Sequence, residues 1–154
     1  MSAFTLHTAA EADLPELLGL MRGYADFYGV SPADEQLLEL SRALIADPER
    51  EGVQVIARDG DGGAVGFATV FWSWSTTRAM RIGVMNDLFV TAAARGSGVA
   101  DALIGECVER CRTHGAGSLQ WQTAKDNYRA QAVYERLGGR REEWLDYSLD
   151  VPTG

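Results

Sequence analysis

LFVTAAARGSGVADALI, residues 88–104, joins two kinds of pattern. An apolar, strand-like run ends at Val90. A turn of small residues follows, holding one arginine and a G-x-G pair at Gly96 and Gly98. Apolar positions then recur at three and four, as on a helix face, at Val99, Leu103, Cys107, Val108 and Cys111, over about residues 98–114. Two readings are open. The turn is a tight strand-to-helix connection, or it leaves backbone N–H groups bare for a phosphate. The second has a physical basis: the first N–H groups of a helix lack internal partners and the dipole is positive there. Glycines let an anion approach the backbone closely, and Arg95 adds a fixed positive charge.

Working outward, residues 81–90 read as a strand and LQWQTA (119–124) as another, so strand, helix and strand form a parallel, right-handed βαβ unit. Upstream, VQVIAR (53–58) and AVGFATVFWSW (64–74) flank DGDGG, a hairpin turn whose residues tolerate positive φ. Residues 3–7 alternate like a first strand. Asp13 and Pro15 open a helix that Gly29 ends, and residues 31–47 read as a second helix with Ser31 as its cap. After GAGS (115–118), a short helix runs from Asn127 to Leu137 and stops at Gly138 and Gly139, and WLDYSLDV (144–151) reads as a final strand. The order is β-αα-βββ-α-β-α-β. It predicts one α/β domain over residues 1–154, with a mixed sheet and helices on both faces.

The composition is that of an ordinary soluble domain: 154 residues, 46% hydrophobic and 23% charged. A net charge of -8 argues against general nucleic-acid binding and suits a cationic partner. No long apolar run suggests a membrane span, and no signal-peptide layout is evident, so the cytoplasm is the expected compartment. Cys107 and Cys111, four apart in a helical pattern, fit neither a mutual disulfide nor a zinc signature and read as reduced core thiols; no metal is expected.

The anion is not that of a P-loop, whose lysine is missing, nor of a dinucleotide fingerprint, whose last glycine is replaced by Asp101. RGSGVA (95–100) fits [QR]-x-x-G-x-[GA], and NYRAQAVYERLGG (127–139) follows with Asn127 and Tyr134 seven apart. In this strand context the pair resembles the GNAT superfamily of acyl-CoA-dependent N-acetyltransferases. MNDLFV and EEWLDYSLDV are also similar to a bacterial branch near the diamine and Hpa-type acetyltransferases.

The resemblance implies a mostly antiparallel sheet of six to seven strands, with a splayed parallel pair at its centre and helices on both faces. It implies acetyl-CoA as co-substrate and a homodimer, with the apolar Trp144 and Leu145 as candidates for its interface; the composition adds neither nucleic acid nor membrane as partner. The pyrophosphate would lie on the amides of Arg95, Gly96, Ser97, Gly98, Val99 and Ala100. The pantetheine arm would pair with Leu88 and Val90, with Phe89 between them. Asn127 would bond the cofactor arm, although it equally suits a helix cap. Tyr134 would be the general acid, or else an inward core aromatic; tyrosine as a residue type suits the role because its ordinary pKa of about 10 lies well above neutral. Relatives near the diamine branch carry Glu-Asp where this chain has Asn86-Asp87. Asn86 cannot take a proton, which leaves Asp87 as the candidate base or as a structural acceptor. Tyr24, Asp26, Tyr28, Trp72, Trp74, Asn86, Trp121 and Tyr147 are candidates for the acceptor pocket, where aromatics can box a cation, or for plain packing. The implied reaction is acetyl transfer to a small primary amine, polyamine-like or amino-acid-like. A lysine, N-terminal peptide or aminoglycoside acceptor and a non-catalytic acyl-CoA sensor are the alternatives.

Overall fold

The computed structural model describes residues 4–153, which divide into two compact units after Gln122. The first unit holds β1 (Thr5–Thr8), α1 (Leu14–Phe27), α2 (Asp34–Ala46), β2 (Gly52–Arg58), β3 (Ala64–Ser75), β4 (Met80–Val90), α3 (Val99–His114) and β5 (Leu119–Gln120). The second holds α4 (Tyr128–Arg136). In the first unit the strands lie in the order β1-β2-β3-β4-β5; the first four are antiparallel and β5 runs parallel to β4.

Local chemistry accounts for the elements. Pro15 sits in the first turn of α1, where no N–H is needed. Leu14, Leu17, Leu20, Met21 and Ala25 give it a buried stripe against Ile56 and Phe67. It ends at Gly29, whose φ of +67° lets Val30 N–H donate back to Ala25 O at 3.0 Å. Between β2 and β3, Asp59 Oδ1 accepts from the N–H groups of Asp61 and Gly63, closing the hairpin. Arg58 ties the start of α1 to this hairpin: it pairs with Asp13 at 2.8 Å and donates to Gly62 O at 2.9 Å.

The sheet is covered on both faces. A Cβ on Gly66 would touch Val99 and Leu103 of α3, so the even positions of β3 face α3. Phe67 instead joins the cluster built by α1. Cys107 and Cys111 are free, buried thiols in α3. Burial pushes them up to about 12 and about 11, so both stay protonated.

Several expectations are corrected. The sheet has five strands, and its parallel pair is the last pair in the order rather than a central one. β1 spans 5–8; the expected Ala3 lies outside the described residues. Helix α2 starts at Asp34, three residues beyond the expected Ser31, because the backbone is still extended at Ala33 (φ -67°, ψ 143°). β5 covers two residues rather than six. Residues 144–151 form no strand. A strand needs a paired neighbour, and among the described residues of the second unit there is no other strand to pair with.

Candidate active site

The alternation of β4 breaks at Asn86. Thr69 of β3 stands opposite Asp87, but the next residue, Val70, stands opposite Met85, so Asn86 is an extra residue, a β-bulge. Its effect on direction is large. Before the bulge Gly83 faces α3, where a Cβ would meet Cys111. After it, the ring of Phe89, equally odd in number, lies against Gly23 of α1. The bulge therefore moves Asp87 to the α1 face with Thr69 and Phe67.

The backbone is re-aimed as well. Gly83 N–H donates outward to Ser118 O at 2.9 Å, on the β5 side. At the far end Thr91 N–H donates to Val65 O of the β3 side, so Val90 and, two back, Leu88 turn their backbone groups away from β3. Ladder pairing with β5 reaches only Gly83 and Val84. A parallel neighbour needs regular alternation, which the bulge interrupts two residues later. Leu88 and Val90 thus present an edge that an extended ligand can extend, with Phe89 directed inward between them.

The quoted turn begins where this edge ends. Gly96 and Gly98 have φ of +80° and +91°, a region that favours glycine, and nothing lies within 4 Å of a Cβ built on either. Gly98 is the N-cap of α3, a helix of 16 residues, and its side-chain-free position supplies no cap. Val99 is buried and anchors the first turn, while Ala100 is partly exposed. Arg95 folds back, its Nε donating to Val90 O at 3.2 Å, and the Ser97 hydroxyl donates to Ala94 O. An open cradle of small residues, a helix N-terminus and one guanidinium at the end of a strand edge that β5 leaves uncovered fit a phosphate-bearing, extended ligand such as acetyl-CoA.

Asp87 lies below the bulge. Asn86 Nδ2 donates to Asp87 Oδ1 at 3.0 Å, and the Tyr24 hydroxyl donates to Asn86 O at 3.1 Å. Burial raises the Asp87 carboxyl above its ordinary range, although Thr69, Asn86 and Tyr24 all favour its charged form. Burial likewise raises the Tyr24 phenol, helped by the Asp87 charge, so Tyr24 remains a donor. Tyr28 packs edge-on against Tyr24 with ring centroids 5.0 Å apart. Tyr24, Tyr28, Asn86 and Asp87 are therefore brought together. Asp26 is exposed and lines a neighbouring recess with Arg22, Ser31 and Asp34.

The tryptophans go elsewhere. Trp72 lies on the α3 face, stacked on His114 at 3.9 Å with its Nε1 donating to Pro48 O. Trp74 is 66% exposed, with Arg81 over its ring. Neither shares a face with Asp87. Trp121 follows β5 and is partly buried. In the second unit Asn127 caps α4, its side chain accepting from Ala130 N–H at 3.2 Å; Tyr134 is partly buried in the same helix and Tyr147 is exposed. Two buried polar residues were not singled out from sequence: Thr69, on β3 beside Asp87's strand, and Gln54, one strand further on in β2. A polar residue inside each of two apolar strands was the available signal.

A fold with a bulged fourth strand, an open edge beyond it and a glycine turn onto a helix is that of an acyl-CoA-dependent N-acetyltransferase. The chain belongs to the acetyltransferase (GNAT) family, which it matches over residues 17–139. It is 27% identical over 149 residues to the uncharacterized N-acetyltransferase YhfO of Bacillus subtilis, covering 96% of this chain and 98% of that one. It is 32% identical over 84 residues to the D-amino-acid N-acetyltransferase HPA3 of Saccharomyces cerevisiae, covering 54% and 52% of the two chains. Among solved structures, aminoglycoside N-acetyltransferase AAC(6')-Iy in complex with CoA superposes with a TM-score of 0.85 at 20% identity, covering 97% of this chain and 96% of that one. Acetyl-CoA is accordingly the acyl donor. Among the described residues no helix is long and apolar enough to cross a membrane, and no group of metal-ligating side chains is present.

Proposed function

We propose that the protein acetylates the primary amine of a small cationic acceptor, polyamine-like or amino-acid-like, in a ternary complex in the cytoplasm. The observation that carries this reading is the cluster of Asp87, Tyr24 and Tyr28 on the α1 face of β4, beside the bulge that also opens the edge at Leu88 and Val90. A carboxylate with two aromatic rings suits an ammonium group, and the net charge of -8 favours a cation. The partial likeness to a D-amino-acid N-acetyltransferase supports an amino-acid-like acceptor.

In this reading the amides of residues 95–100 hold the pyrophosphate and the backbone of Leu88 and Val90 holds the pantetheine arm. Asp87 takes a proton from the acceptor's ammonium, directly or through water. The freed amine attacks the thioester carbonyl, the C–S bond breaks, Tyr134 gives its phenolic proton to the leaving thiolate, and the second proton lost by the attacking nitrogen passes through water to restore the Tyr134 phenol. Asn127 bonds the cofactor arm while capping α4. The whole chain acts as one acetyltransferase domain and works as a homodimer. A panel of polyamines, D- and L-amino acids, lysine peptides and aminoglycosides, read by release of free CoA thiol, tests the acceptor. Turnover with the small amines is expected. Turnover confined to peptides or aminoglycosides would overturn it.

A further inference from the structure

Gln54, Thr69 and Asp87 form a straight cross-strand row. Gln54 of β2 stands opposite Thr69 of β3, and Thr69 stands opposite Asp87 of β4. Residues directly opposite have Cβ atoms about 4.5–5.5 Å apart, close enough for side chains to bond. Gln54 is 3% exposed and Thr69 is fully buried, in strands whose other inward residues are apolar.

The row has a direction. Gln54 Nε2 donates to Thr69 Oγ1 at 3.1 Å, and its other hydrogen points to Met21 Sδ at 3.7 Å. With a lone pair of its oxygen taken, the Thr69 hydroxyl has its proton to give, and the acceptor in line is the Asp87 carboxylate. The arrangement is kept although Gln54 Oε1 is buried without a partner among the described residues. A leucine would fill that space without leaving an acceptor orphaned, so packing alone does not account for the glutamine.

We propose that Gln54 and Thr69 are positioning residues: a two-step donor relay that holds Asp87 as an ionised proton acceptor for the incoming ammonium. This rests on the reading of Asp87 as the base. The other groups facing Asp87 in the first unit are Asn86 beside it on β4 and Tyr24 from α1, with Tyr28 behind Tyr24. Tyr24 and Tyr28 are the titratable ones, and burial raises the Tyr24 phenol, which stays a donor. The relay opposes burial, which works against the carboxylate.

The test is a 13C-carboxyl NMR titration of Asp87 in the full chain, which needs no acceptor. Thr69→Val keeps the shape and removes the donor, and is expected to raise the midpoint by about one pH unit, as for loss of one hydrogen bond to a charge. Thr69→Ser restores the hydroxyl and is expected to return the midpoint to within about 0.3 unit of the starting protein on the same reasoning. Gln54→Leu leaves Thr69 in place but frees its hydroxyl to rotate, so a smaller rise is expected. This variant also decides the matter if Thr69→Val does not fold. An unchanged midpoint in both Thr69→Val and Gln54→Leu would overturn the relay. The base reading is tested separately: Asp87→Asn is expected to remove the acidic limb of kcat/KM for the best amine of the panel. A surviving limb would reject Asp87 as base even where the carboxyl titration moves.

Discussion

At Asp87 burial and hydrogen bonding pull in opposite directions, and burial wins. A carboxyl raised above its unfolded value leaves the folded state holding a proton that the unfolded chain has already released. Its contribution to stability is full below the ordinary value of 3.8 and is lost as pH rises through the raised one. Asp87→Asn is therefore expected to raise Tm at pH 7, with the gain shrinking as pH falls through the raised value and gone below about 4, the ordinary carboxylate range. A variant less stable than the parent at pH 7 would contradict this. Tyr134→Phe is expected to cut kcat about 100-fold or more, the usual contribution of a general acid, while leaving the Kd for acetyl-CoA within about twofold. Equal turnover would remove Tyr134 from the mechanism. At this scale the sequence was readable where chemistry is carried by residue type, as in the RGSGVA turn or the Asn127 cap. It was not readable for Trp72. Alternation along β3 does not say which of its faces meets α3, and Trp72 lies on that face rather than beside Asp87.

At the scale of elements, the glycine turn and the bulge divide the work: one shapes the start of α3 and the other opens β4. Gly98 at φ +91° has open space around it, so a side chain there costs backbone strain rather than collision. Gly98→Ala is expected to lose about 1–2 kcal/mol in chemical denaturation, the usual penalty for a left-handed alanine. Loss below about 0.3 kcal/mol would mean the turn relaxes to another shape. Helix positions were legible because their signals are local: Pro15 and Gly29 bracket α1, and Gly98 and Gly115 bracket α3. The bulge at Asn86 was not legible. Nothing within MRIGVMNDLFV marks an extra residue, since the bulge exists only relative to the register of β3. The same reason explains WLDYSLDV: its alternation is genuine, but pairing depends on a partner that sequence spacing cannot supply.

For the whole molecule, the paired motifs RGSGVA and NYRAQAVYERLGG in their strand context carried the family resemblance, and the element order agreed with it. The charge of -8 gave a direction for the acceptor but no location. Homodimer formation is expected to appear in sedimentation equilibrium as twice the 16.7 kDa chain mass; a single chain mass at high concentration would contradict it. The account as a whole turns on residues 95–100 holding the pyrophosphate of acetyl-CoA. Calorimetric titration with acetyl-CoA, run on the parent chain and on a folded Gly98→Glu variant, tests this most directly. Saturable binding to one site per chain is expected for the parent, with no measurable binding once bulk and negative charge occupy the turn. Equal affinity in the two proteins, or no binding by the parent, would place the anion elsewhere and contradict the account.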